Sequence, residues 1–170
     1  MIMKTKHTMT LLLVFFSFVF SSAGAQSVTR TQHREAMTND VVTTGTMTIR
    51  KPDYICISTD RGREQLLMDG TRFTITLGGK QHTTDSRTNP QFATFQKVLM
   101  AVIGGKAIPT SDEVTVTTKQ GRRTIVVTPS AKKRRQMFSS FTLVIDADTY
   151  ALKTLRMNER KGNYIHYDFK

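Results

Sequence analysis

The chain has 170 residues, a net charge of +12, a single cysteine and no tryptophan. The length suits one domain whose core needs no staples, and one cysteine excludes an intramolecular disulfide. The basic balance raises nucleic acid as a partner, but no basic patch interleaved with base-stacking aromatics is present. That leaves an anionic membrane surface, an acidic partner or simple colloidal solubility.

Lys4, Lys6 and His7 open the chain as a basic segment, residues 11–20 form an apolar run, and Ala23-Gly24-Ala25 is a small-residue cleavage site. This is the pattern of a secretory signal peptide, expected to be removed as residues 1–25. The apolar run is far short of the ~20 residues that span a bilayer. No cysteine follows it to carry an acyl anchor, so residues 26–170 are expected as one soluble, exported domain.

Residues 28–35 and 41–51 read as strands; in the second, Met47 and Ile49 alternate with Thr46, Thr48 and Arg50. Residues 54–59 form a third strand, in which Cys56 reads as a small buried side chain. Residues 64–69 and 72–77 flank Asp69-Gly70, the strongest hairpin signal in the chain. A loop of those two residues sets Met68 opposite Thr71 and Leu66 opposite Phe73. Leu66, Met68, Phe73, Ile75 and Leu77 then share one apolar face, with Arg72, Thr74 and Thr76 on the other. Gly78-Gly79 turns the chain into a short strand around residues 81–84.

Residues 89–105 are the one amphipathic helix after the leader. Asn89 suits the N-cap and Pro90 the first helical position. Phe92, Phe95, Leu99, Val102 and Ile103 recur at helical spacing, with Ala93, Val98 and Met100 widening the apolar side. Gly104 and Gly105 stop it. Val114 and Val116 then mark a strand that turns at Gln120-Gly121 into residues 122–129, where Ile125 and Val127 face away from Val126. Residues 138–146 place Phe141, Leu143 and Ile145 on one face. Residues 151–159 and 163–169 form the last hairpin across Lys161-Gly162, with Ile165, Tyr167 and Phe169 on one side. Ten or eleven strands in sequence-adjacent hairpins must curl. The expected fold is mainly β: a strongly curved antiparallel sheet with the helix across its concave side.

Catalytic signatures are thin. After the leader the histidines are His33, His82 and His166, none at metal-ligand spacing, and no cofactor or metal is expected. His82 and Asp85 have the composition of a base and its orienting carboxylate, with Ser86 adjacent, but sequence adjacency is not triad geometry. They read as polar residues leading into the helix. Asp146 and Asp148 read as a turn, since no third calcium ligand follows in register. The run Lys132, Lys133, Arg134 and Arg135 is a candidate contact for anionic headgroups or an acidic partner, or else a solvated hairpin loop. Apolar surface is the positive signal, with Met37, Met47, Met68, Met100, Met137 and Met157 adding adaptable side chains suited to a cavity or an ordinary core.

The order of these features resembles the LolA family of periplasmic lipoprotein carriers. Gly45, Lys51 and Pro52 match its strand ending in G-x-x-x-x-x-K-P, and Leu66, Leu67, Asp69 and Gly70 match the strand carrying its D/N-G hairpin. The apolar helix stopped by glycine corresponds to residues 92–105, residues 143–169 resemble the closing I-D, turn and G-N pattern, and Val28-Thr29-Arg30-Thr31 resembles the first strand. Two positions depart. Only Gln26 and Ser27 precede Val28 after the cleavage site, where the family begins with an amphipathic helix. The family's arginine after K-P, associated with lid closure and onward transfer, falls on Cys56.

The resemblance implies an incomplete, unclosed β-barrel whose hollow takes the acyl chains of a lipoprotein travelling from the inner to the outer membrane. It implies an inner-membrane export complex and an outer-membrane acceptor as partners, a monomer, and no catalysis. Exposing an acyl chain of about fifteen carbons to water costs on the order of 12 kcal/mol at ~0.8 kcal/mol per CH₂, so a carrier must offer a substitute apolar surface. The expected lining is Met47, Ile49, Ile55, Ile57, Leu66, Met68, Phe73 and Ile75 from the sheet, with Phe92, Phe95, Leu99 and Val102 from the helix as lid. The competing readings are a binder of other lipids, a LolA-like structural or interaction domain whose helix is permanent core, and an exported hydrolase built on His82 and Asp85.

Overall fold

The computed structural model describes residues 25–130 and 137–170. Eleven strands form one antiparallel sheet. They are β1 (Gln26–His33), β2 (Val41–Arg50), β3 (Tyr54–Thr59), β4 (Glu64–Asp69), β5 (Arg72–Leu77), β6 (Lys80–Asp85), β7 (Val114–Lys119), β8 (Arg122–Val127), β9 (Ser140–Asp146), β10 (Leu152–Asn158) and β11 (Tyr164–Phe169). The helix α1 (Pro90–Ile103) lies between β6 and β7 in the chain.

The spatial order is β6-β5-β4-β3-β2-β1-β11-β10-β9-β8-β7. Two meanders are therefore zipped together in mid-sheet by the pairing of β1 with β11, Val28 opposite Phe169 and Arg30 opposite Tyr167. β6 and β7 are the free edges, and the sheet does not close. α1 connects those two edges.

One side chain shows how far the sheet curls. The Phe95 ring sits 6.0 Å from Phe73 on β5 and 4.0 Å from Phe141 on β9. In a flat sheet these strands, seven places apart in the order, would be separated by roughly 33 Å. The two arms have instead wrapped around the helix.

Alternation drives this packing. In β3, β9 and β11 every second residue is buried, and the inward set Ile55, Ile57, Phe141, Leu143, Ile145, Ile165, Tyr167 and Phe169 joins the helix in a single core. The edges have no such face: the burial patterns of β6 and β7 are almost wholly exposed, and Val116 is 46% accessible. Short, polar, charged strands there discourage further pairing. Gly45 on β2 leaves no room for a side chain against β3; a Cβ on it would stand 1.9 Å from the Ser58 carbonyl oxygen.

Two expectations need correction. In the β4–β5 hairpin Asp69 pairs with Arg72, Met68 with Phe73 and Leu66 with Ile75, so the loop is Gly70-Thr71 rather than Asp69-Gly70. A shift of two residues keeps the parity, which is why the apolar face comes out unchanged. Thr74, on the opposite face, is nonetheless buried, and its hydroxyl meets that of Thr83 at 3.0 Å. Cys56 is half-buried rather than buried, because Ile55 and Ile57 take the inward positions and turn it to the convex face.

Candidate functional site at the helix–sheet contact

The first half of α1 is fixed by aromatic rings. Phe92 lies 4.7 Å from Phe73 and within 6.4 Å of both Phe138 and Phe141, and Phe95 stacks on Phe141. Two polar clamps flank these rings. Gln96 accepts a hydrogen bond from the buried Ser86 hydroxyl and donates to the Gly70 carbonyl, tying the helix to the β4–β5 turn. On the other flank the Thr94 hydroxyl donates to Glu113, which also accepts the Ser130 amide at 2.7 Å and its hydroxyl at 2.5 Å. Desolvation pushes the Glu113 carboxyl up, but the bonds from Ser130 and Thr94 outweigh it, and its pKa lies below the usual value.

The second half of α1 is held differently. The Lys106 amide bonds to the Ala101 carbonyl at 2.8 Å and the Gly105 amide to the Val102 carbonyl at 3.1 Å. This is a Schellman motif, and Gly105 takes the left-handed φ of 61° that it requires. Clefts open beside this end. One, about 280 Å³, lies between Val102 and Ile103 of the helix, Met47, Ile49 and Lys51 of β2 and its exit, and Tyr150 and Leu152. The other, about 610 Å³, lies along the outer side of the helix between Met100, the cis Lys51-Pro52 bond and Pro109. Lys51 and Gly104 line both.

The residues anticipated as lining converge. Met47, Ile55, Ile57, Leu66, Met68, Phe73, Ile75, Phe92, Phe95, Leu99 and Val102 are all buried in the one core, and Ile49 packs against it half-buried. Phe92 and Phe95 touch sheet rings directly. Met47, Ile49 and Val102 border the 280 Å³ cleft, while Phe73, Ile75 and Phe92 border a third, of about 210 Å³, near the helix N-terminus. Lys132, Lys133, Arg134 and Arg135, like residues 1–24, lie outside the described residues.

His82 and Asp85 are not brought together. Both are on β6, three residues apart, and so point to opposite faces. Asp85 is taken by Arg87, through Nε at 3.0 Å and Nη2 at 2.7 Å, and by Thr71; the Arg87 hydrogen bonds hold its carboxyl well below the ordinary range. Asp146 accepts from the amides of Asp148 and Thr149, an Asx turn. Among the described residues no cluster of His, Cys, Asp and Glu is arranged to hold a metal.

One inward group was not anticipated. Arg30 on β1 is fully buried. Its Nη1 is 2.8 Å from Glu64 Oε2, an ion-pair distance without hydrogen-bond geometry, and its Nη2 donates to Gln32 at 2.7 Å. Nε has no acceptor among the described residues. Tyr167 faces it across the β1–β11 pair; burial pushes the phenol up to about 12, against the opposing pull of the Arg30 charge and hydrogen bond. The strand parity of Val28 and Arg30 was the available signal.

The family model described as outer membrane lipoprotein carrier protein LolA matches residues 22–170. No curated protein sequence matches the chain. Among solved structures, similarity extends to a LolA superfamily protein from Nitrosomonas europaea, at 8% identity and a TM-score of 0.34, over 86% of this chain and 83% of that one. A DUF1329 family protein from Desulfovibrio piger is similar at 12% identity and a TM-score of 0.35, over 86% and 82%. So is a chain of the complex of the CwlD amidase with the GerS lipoprotein from Clostridioides difficile, at 14% identity and a TM-score of 0.34, over 94% and 92%. With a model match over residues 22–170, and α1 laid across an unclosed eleven-stranded sheet among the described residues, the chain belongs to the LolA family.

Proposed function

We propose that this domain is an exported, periplasmic carrier that shields the acyl chains of lipoproteins between the inner and outer membranes. Its concave sheet face is the lining and α1 the lid. The observation that carries this is the position of α1. Its apolar side is the only element packed across the two arms among the described residues, so lifting it exposes a continuous apolar cup. The cup replaces the membrane for the acyl chain, at ~0.8 kcal/mol per CH₂. The carrier catalyses no reaction. An export complex loads it and an outer-membrane acceptor empties it. Purified gently from the periplasm, the protein is expected to carry acylated cargo visible by native mass spectrometry, and the delipidated protein to take up a synthetic diacylated lipopeptide. A clean apo mass with no lipopeptide uptake would overturn the reading.

The direct contact of Phe92 and Phe95 with sheet rings, and the Gln96 clamp, favour a second reading, an interaction domain with α1 as permanent core. Amide exchange separates the two. A lid loses protection at residues 98–103 when lipopeptide binds; a core helix does not respond.

A further inference from the structure

We infer that the C-terminal end of α1 also binds a second ligand, a phospholipid with an anionic head. The inference rests on the carrier reading and adds to the lipoprotein a further ligand class and its place. The two clefts at that end share Lys51 and Gly104 in their linings, and the inner one borders the core residues Met47 and Val102. The outer one has an apolar floor that includes Pro52, Met100 and Ala101, and a rim of Lys51, Lys97 and Lys106. No Asp or Glu lines either cleft. All three lysines are exposed, and among the described residues none of them forms an ion pair. The same holds for every other described lysine, so what sets these three apart is the apolar cleft they share and its lack of acids.

An apolar cleft rimmed by three ammonium groups, beside a second cleft that borders the core, complements an acyl tail below a phosphate. Lysine is a point-charge phosphate binder, and three of them exceed what one carboxylate needs. The negative end of the helix dipole opposes an anion here, and lysines at a helix C-terminus favour the helix on their own account. The Schellman bonds already occupy the Ala101 and Val102 carbonyls, which lessens the first effect. The second is the competing explanation that the test must separate.

The mature protein is titrated by calorimetry at low salt with short-chain phosphatidylglycerol, a chain-matched neutral diacylglycerol and a fatty acid. The same is done for the triple variant Lys51→Gln, Lys97→Gln, Lys106→Gln, and for a charge-matched control, Lys119→Gln, Lys153→Gln, Lys161→Gln. The expected result is phosphatidylglycerol preferred over the neutral lipid by about tenfold, with the preference abolished by the first triple, retained by the control, and weakened by salt. Equal binding of charged and neutral lipid, equal loss in both triples, a tighter lysine-dependent hold on the fatty acid, or lowered stability with unchanged preference would each overturn it. If lipopeptide binds but the preference is absent, the inference fails and the carrier reading stands. If neither lipopeptide nor phospholipid binds, the carrier reading fails as well.

Discussion

The two ends of α1 are fastened by different physics. The N-terminal half lies among the rings of Phe73, Phe138 and Phe141 and is clamped through Gln96 and Thr94. The C-terminal half presents aliphatic Val102 and Ile103, closes on its own backbone through the Schellman motif, and stands between two clefts. Aromatic packing with directional hydrogen bonds has one good geometry, whereas aliphatic contacts tolerate sliding. On the proposed carrier reading, this asymmetry has the lid open from its C-terminal end and pivot on its N-terminal half.

That asymmetry can be broken. Phe95→Ala removes a fully buried ring stacked at 4.0 Å on Phe141, and is expected to cost about 3–5 kcal/mol by urea unfolding. Val102→Ala, equally buried but at the cleft margin, loses two methyl groups and is expected to cost about 1.5 kcal/mol. Equal costs would mean that both ends are core and neither is a door. Gln96→Ala leaves the buried Ser86 hydroxyl and the Gly70 carbonyl without their partner and is expected to cost about 1–3 kcal/mol. Its sharper signature is kinetic: amide exchange over residues 92–96 should rise to the rate of residues 101–105. No change in that gradient would remove Gln96 from the pivot.

Much of this was legible beforehand, for identifiable reasons. The limits of β3, β4 and β5, the inward faces of β9 and β11 and the apolar stripe of α1 follow from alternation and helical periodicity, and burial enforces both. What stayed hidden is what periodicity cannot carry. A two-residue slip at Gly70 preserves every face, so no pattern detects it. Arg30 has the parity of an inward residue, but its charge argues against burial until Glu64, on a strand several places away, is seen beside it. Val116 looks half-buried only while β7 is assumed to have a neighbour on each side; Val114, at the start of the strand, does pack half-buried on the core. Lys51, Lys97 and Lys106 are unremarkable apart; the glycine stop of α1 brings them to one rim.

The smallest expected effect lies in the Thr94 clamp. The hydrogen bonds from Ser130 and Thr94 favour the ionised Glu113 more than its partial burial disfavours it, so its folded pKa lies below the unfolded value of about 4.5. Between those two values the unfolded chain binds the extra proton, so acid favours unfolding there. The stabilisation is complete above the unfolded value and is lost as pH falls through the folded one. Unfolding of the wild type and of Glu113→Gln, followed from about pH 6 to pH 3, should therefore converge at the acid end. The protection factor of the Thr94 amide, taken against the slower intrinsic exchange in acid, should fall over the same interval while those of residues 101–105 stay unchanged. If the C-terminal residues lost protection with Thr94, the two halves of α1 would be moving as one body, and the pivot would have to be abandoned.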